Sequence, residues 1–138
     1  MRSTVLVADA EGRAAVPQAV REHWDQLDWL METSGAASLT RVRLGIRPRL
    51  AIINLQLPDM CGAELVERLR KGLPNLAVVA TSNVIGSLAE RLACSLGIVA
   101  YLVKPLDAVL LDQVLASALR EFSRVRKSAV ESDTFGGE

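Results

Sequence analysis

Four polar residues, Asp9, Asn54, Thr81 and Lys104, each stand directly after a short apolar run with the composition of a buried strand. The most informative run is Leu50-Ala51-Ile52-Ile53, which has no polar break and stops abruptly at Asn54 before a Pro58-Asp59-Met60-Cys61-Gly62 turn. In open α/β sheets, ligands and chemistry collect outside the carboxyl ends of the strands, which is where these four side chains belong. An Asp at position 54 would be a nucleophile, whereas the Asn found there is not. Other chemistry has little support. His23 is the single histidine, beside Glu22 and Trp24 in a charged helical stretch, so Ser-His-Asp and Cys-His arrangements lack a partner. Cys61 and Cys94 read as reduced thiols, and no Cys/His cluster has metal-site spacing.

The elements that position these residues follow from apolar patterning. Thr4-Val5-Leu6-Val7-Ala8 reads as a first buried strand, followed by a helix from Arg13 to about Gln26 with Pro17 in its early part. Trp29-Leu30-Met31 is a weaker second strand, and Ala36 to about Leu44 a second helix closed by Gly45 and Pro48. After the central strand, Gly62 to Lys71 forms a third helix with Leu65, Leu69 and the stem of Arg68 on one side. Leu76-Ala77-Val78-Val79-Ala80 is another wholly apolar strand, ending in Thr81-Ser82-Asn83. A fourth helix is expected from about Ile85 to Leu96 with Gly97 as its cap, and a fifth strand from Ile98 to Val103 ends at Lys104-Pro105. The last helix starts near Asp107, with apolar residues at 111, 114, 115, 118, 122 and 125.

Five strands alternating with five helices predict a flavodoxin-like, doubly wound parallel sheet of order 2-1-3-4-5 in a three-layer α/β/α sandwich. Residues 1–126 are expected to form this domain and residues 127–138 a mobile tail. The bulk properties agree. A chain of 138 residues that is 50% apolar and 4% aromatic builds one core from Leu, Val, Ala and Ile. Sixteen basic and sixteen acidic residues cancel, which argues against bulk nucleic acid or an anionic membrane as the main partner. No apolar run reaches the ~18–20 residues needed to cross a bilayer, so a soluble cytoplasmic protein is expected.

The strand-end pieces Pro48 to Gly62, then Val78-Val79-Ala80-Thr81-Ser82, then Gly97 to Pro105, taken together, resemble the receiver domains of bacterial two-component response regulators. The resemblance runs from residue 4 to about residue 125. It implies a pocket in which an acidic pair after the first strand holds Mg²⁺ and an Asp after the third attacks the phosphoryl group. A Thr or Ser after the fourth strand and a Lys after the fifth bind the phosphoryl oxygens. Thr81 and Lys104 carry over unchanged, as do Pro105, whose Lys-Pro bond is usually cis in the family, and Tyr101, in the place of the aromatic switch residue. Asp9 matches one member of the acidic pair, but Ala10 replaces the other and Asn54 replaces the phosphoacceptor.

Both departures remove negative charge. The usual site carries three carboxylates and one ammonium, whereas Asp9 and Lys104 leave a formal charge of zero here. Mg²⁺ requires hard oxygen ligands, and without it phosphoryl transfer loses its main electrostatic stabilisation. Glu11 lies one residue too late in the chain to replace Ala10 in this reading. Lys104 is expected to pair with Asp9 and to donate to the Asn54 side-chain oxygen.

The chain therefore reads as a degenerate receiver-like signalling module that binds neither metal nor cofactor, is not an enzyme, and acts by protein–protein interaction. Its partner is a histidine kinase or an output protein, with no direct nucleic-acid or membrane contact. A homodimer through the fourth helix, fifth strand and fifth helix is also expected, using the mixed charges Asp107, Asp112, Arg120, Glu121, Arg124 and Arg126. The alternative is a working receiver that accepts phosphate from a histidine kinase through an altered site. A flavin-type small-ligand pocket is disfavoured, because Asp9-Ala10-Glu11 stands where a Ser/Thr/Gly-rich phosphate loop would be needed.

Overall fold

The computed structural model of the chain describes residues 2–86, 91 and 95–120. Five strands, β1 (Thr4–Ala8), β2 (Asp28–Glu32), β3 (Leu50–Asn54), β4 (Ala77–Ser82) and β5 (Ala100–Val103), form one parallel sheet of order β2-β1-β3-β4-β5. The order is the one expected from the apolar runs. It puts β1 and β3 side by side, with Val5 opposite Leu50 and Ala8 opposite Ile53.

Why the runs are unbroken is visible in the packing. Side chains alternate across a strand, and here both faces are covered. Val5, Val7, Leu50, Ile52 and Val79 face one side, where they meet Val16, Val20, Leu111 and Leu115. Leu6, Ala8, Ala51, Ile53 and Val78 face the other, against Leu65, Val66 and Leu69. All five residues of β3 are buried, whereas the edge strand β2 is only half-buried.

The helices are α1 (Gln18–His23), α2 (Gly35–Arg43), α3 (Gly62–Gly72) and a helix over residues 108–120. The long first helix is corrected: a 3₁₀ turn at Gly12–Ala15 is separated from α1 by Val16 and Pro17. Proline disfavours helical backbone at the residue before it, and Val16 is extended at φ −115° and ψ 128°. In α3 the buried face is Leu65, Val66 and Leu69, while Arg68 is exposed and pairs with Glu64 one turn away. Of the expected fourth helix, Ile85 and Gly86 are not helical, Arg91 and Ser95 are, and the rest lies outside the described residues. The left-handed Gly97, at φ +64°, follows it as a helix terminator. In the last helix Asp107 accepts a hydrogen bond from the Leu110 amide at 2.9 Å, an N-cap that fixes its start. Residues 121–138, with the expected boundary at residue 126 and the tail, fall outside the described part.

Two of the charges assigned to a dimer contact are committed elsewhere. Asp107 is the cap just described. Asp112 takes the Trp24 indole N–H at 2.6 Å and lies 3.6 Å from His23 Nδ1, so it faces α1. Arg120 is exposed, and Glu121, Arg124 and Arg126 lie outside the described residues.

Candidate functional site

The sheet brings the four strand-end residues to one edge. Asn54 of β3 is in register with Thr81 of β4, and Asp9 follows Ala8, which is level with Ile53. Lys104 follows β5, and its amide donates to the Ser82 carbonyl at 2.8 Å. Asp9, Asn54 and Thr81 are buried at 4%, 1% and 1% exposure, so each must find partners inside the protein.

The closeness of β3 to α3 sets Asn54 in place. A Cβ at Gly62 would fall onto the Asn54 carbonyl oxygen and lie 2.7 Å from Leu55 Cα. The Gly62 amide donates to the Leu55 carbonyl at 3.0 Å, so only glycine lets the start of α3 come this near the strand end.

Asn54 is fully engaged. Its Oδ1 accepts from the Gln56 backbone amide at 2.7 Å, a group that only donates, which settles the orientation of the carboxamide. Its Nδ2 then donates to Thr81 Oγ1 at 3.2 Å and to Asn83 Oδ1 at 3.0 Å. Around it lies a polar web absent from the sequence reading. Gln56 Nε2 donates to Ser82 Oγ at 3.1 Å, Gln56 Oε1 accepts from the Asn83 amide at 2.7 Å, and Ser82 Oγ donates to the Val84 carbonyl at 2.9 Å. The only signal for Gln56, Ser82 and Asn83 was their polarity just beyond two apolar runs. Among the described residues no buried side-chain nitrogen or oxygen lacks a hydrogen-bond partner.

Lys104 forms a second group. Its ammonium lies 2.7 Å from Asp9 Oδ2, as expected, and 2.6 Å from Glu11 Oε1, which was not. The turn after β1 explains the second contact. Asp9 Oδ1 accepts from the Glu11 amide at 2.9 Å and the Asp9 carbonyl from the Gly12 amide at 2.9 Å. Gly12 adopts φ +60°, and the chain curls back so that Glu11 faces Lys104. The expected bond from Lys104 to Asn54 is corrected: the ammonium goes to the two carboxylates, and the Asn54 oxygen goes to Gln56. The charge count changes too, because Asp9, Glu11 and Lys104 sum to −1 rather than zero. Burial pushes the Lys104 pKa down, but its hydrogen bonds to Asp9 and Glu11 outweigh that and leave it raised above 10.5.

The donor set does not fit Mg²⁺. One Asp9 oxygen faces an ammonium and the other a backbone N–H, the Asn54 oxygen is taken by Gln56, and the Ala10 side chain has no donor atom. Among the described residues no group of three or more His, Cys, Asp or Glu is arranged to hold a metal. Asp59, in the turn after β3, is not at the pocket's centre. Its carboxylate caps α2 by accepting from the Gly35 and Ala36 amides, each at 2.9 Å. Tyr101 is half-buried against Leu55, Ala80 and Ile98, with its hydroxyl 3.5 Å from the Val84 carbonyl. The Lys104–Pro105 bond is cis.

A five-stranded parallel sheet of this order, with polar residues gathered at the carboxyl ends of β1, β3, β4 and β5, is the fold of response-regulator receiver domains. No family model matches the chain. Among solved structures it is similar to a signal receiver domain from Vibrio parahaemolyticus, with a TM-score of 0.77 and 18% identity over 94% of this chain and 98% of that one. A CheY-like receiver domain protein from Methanospirillum hungatei JF-1 gives a TM-score of 0.74 at 18% identity, covering 90% of this chain and 99% of that one. In sequence, 138 aligned residues are 31% identical to the DNA-binding transcriptional regulator NtrC of Rhizobium meliloti (strain 1021), covering 98% of this chain and 28% of that protein. The chain has the fold of these receiver domains and spans just over a quarter of the curated relative it matches. No helix among the described residues is long and apolar enough to cross a membrane.

Proposed function

We propose that this receiver domain signals by protein–protein interaction in a two-component or phosphorelay system and does so without being phosphorylated. The observation that carries the reading is the state of Asn54. Its side chain is a neutral amide whose oxygen and nitrogen are both held by neighbours, so the strand end where an attacking carboxylate would stand supplies hydrogen bonds instead. None of the three nearby acids replaces it, since Asp9 and Glu11 are held by Lys104 and Asp59 caps α2. On this reading the domain is not an enzyme and needs no metal or cofactor. What it offers a partner is a preformed surface.

Val84 and Ile85, 53% and 89% exposed, continue from the polar web toward Tyr101 and supply an apolar part of such a surface. A second copy or an output protein docked against this side of β5 is the partner the reading favours.

The test is incubation with Mg²⁺ and a small phosphodonor, followed by intact-mass measurement. The expected result is an unchanged mass. A gain of one phosphoryl group establishes the alternative, a receiver that accepts phosphate through an altered site.

A further inference from the structure

β1 and β5 do not touch; β3 and β4 lie between them. Yet the Lys104 ammonium, from the end of β5, reaches both Asp9 and Glu11 beyond β1, at 2.7 and 2.6 Å. The lysine side chain is 13% exposed and that of Asp9 5%, so the Asp9 contact is a largely desolvated ion pair, while Glu11, 58% exposed, meets the ammonium from the solvent side. This bridge crosses the strand ends that carry Asn54 and Thr81 and joins the two loops on either side.

We propose that Lys104 is the resident cation of this pocket: its ammonium neutralises the Asp9–Glu11 pair in place of a divalent ion and excludes one. The inference extends the phosphate-independent reading by naming what balances the charge. The physical reason is that a carboxylate as desolvated as Asp9, 5% exposed, needs a paired counter-charge beside it. A divalent ion would have to displace a tethered ammonium from both carboxylates, and it would gain no further ligand at Ala10 or at the committed Asn54 oxygen. Without the ammonium, two carboxylates of total charge −2 face one another across a short turn, and a divalent ion would relieve their repulsion.

The experiment is a Mn²⁺ titration of the full chain without phosphodonor, following the free ion by electron paramagnetic resonance. The wild type is expected to take up no Mn²⁺ at millimolar concentration. Lys104→Met is expected to bind at least roughly tenfold more tightly, and Lys104→Arg, which keeps the charge, to exclude the ion as the wild type does. Equal uptake by wild type and Lys104→Met, or uptake by neither, overturns the proposal. If Lys104→Met does not fold, Lys104→Gln, which retains a donor for Asp9, is read by the same criterion. An arm needing no variant follows the Asp9 and Glu11 amide resonances of the wild type. They should respond equally to MgCl₂ and to NaCl of matched ionic strength, and a saturable Mg²⁺-specific shift overturns the proposal. A wild type that binds Mn²⁺ but keeps its mass with phosphodonor sinks this inference alone. One that gains a phosphoryl group sinks the phosphate-independent reading, and the Mn²⁺ titration still decides the role of Lys104.

Discussion

Asn54 and Thr81 are partners twice over: they are in register on neighbouring parallel strands, and the Asn54 amide nitrogen donates to the Thr81 hydroxyl at 3.2 Å. The contact makes the end of β3 a structural joint. Removing it should therefore be felt as lost stability. Asn54→Ala leaves the buried Thr81 hydroxyl without its donor, the Gln56 amide without its acceptor and the exposed Asn83 without its partner. The expected cost is about 1–3 kcal/mol, read from urea denaturation. Asn54→Asp keeps the acceptor for Gln56, and the Thr81 hydroxyl can turn to donate. The new carboxylate is, however, buried beside the Asn83 oxygen with Lys104 already engaged, so this variant is expected to destabilise as well.

The close approach of α3 to β3 makes Gly62 a sensitive position. Its φ is not the issue; space is, since an added methyl meets the Asn54 carbonyl and Leu55 Cα. Gly62→Ala should destabilise the domain by about 1–3 kcal/mol and shift the amide resonances of Asn54 and Leu55 in a heteronuclear correlation spectrum.

Burial separates two leucines that look alike in sequence. Leu65 is 0% exposed in the layer under β1 and β3, whereas Leu44 is 77% exposed just after α2. Leu65→Ala should cost about 2–5 kcal/mol. Leu44→Ala should change stability by no more than about 0.5 kcal/mol, and thermal unfolding of the two variants side by side checks the contrast.

Asp59 predicts an acid-labile contribution. Its hydrogen bonds from the Gly35 and Ala36 amides favour the carboxylate and hold its pKa below 3.8, with burial opposing weakly. A group whose native pKa is lowered contributes stability above its unfolded pKa and loses it as pH falls through the native one. The folded state should therefore weaken as pH drops from about 4 downward, and Asp59→Asn should flatten that limb of a stability–pH profile. An unchanged slope in the variant would assign the acid sensitivity to other carboxylates.

How much of this was legible beforehand depends on where each residue sits. Asp9, Asn54, Thr81 and Lys104 were found together because uninterrupted runs such as Leu50–Ile53 suit only strands covered on both faces, and parallel strands end at one edge. The Asp9–Lys104 pair was expected from that convergence together with the opposite charges left in the pocket. The break in the first helix is written in Pro17, which holds Val16 extended against the helical rhythm around it.

Sequence by itself determined the five strand-forming runs, the edge where the polar residues gather and the neutral amide at the end of β3, since these depend on residue type and on which runs suit strands covered on both faces. Only the tertiary structure decided which atoms meet: Glu11 joins Lys104 because a left-handed Gly12 curls the turn back, and Asn54 serves Gln56, Thr81 and Asn83 rather than Lys104. The physical reason is that alternation governs direction only while the backbone stays extended. Past the last strand residue, direction is set by loop dihedrals and by the need of every buried polar atom for a partner, and both are properties of the folded chain.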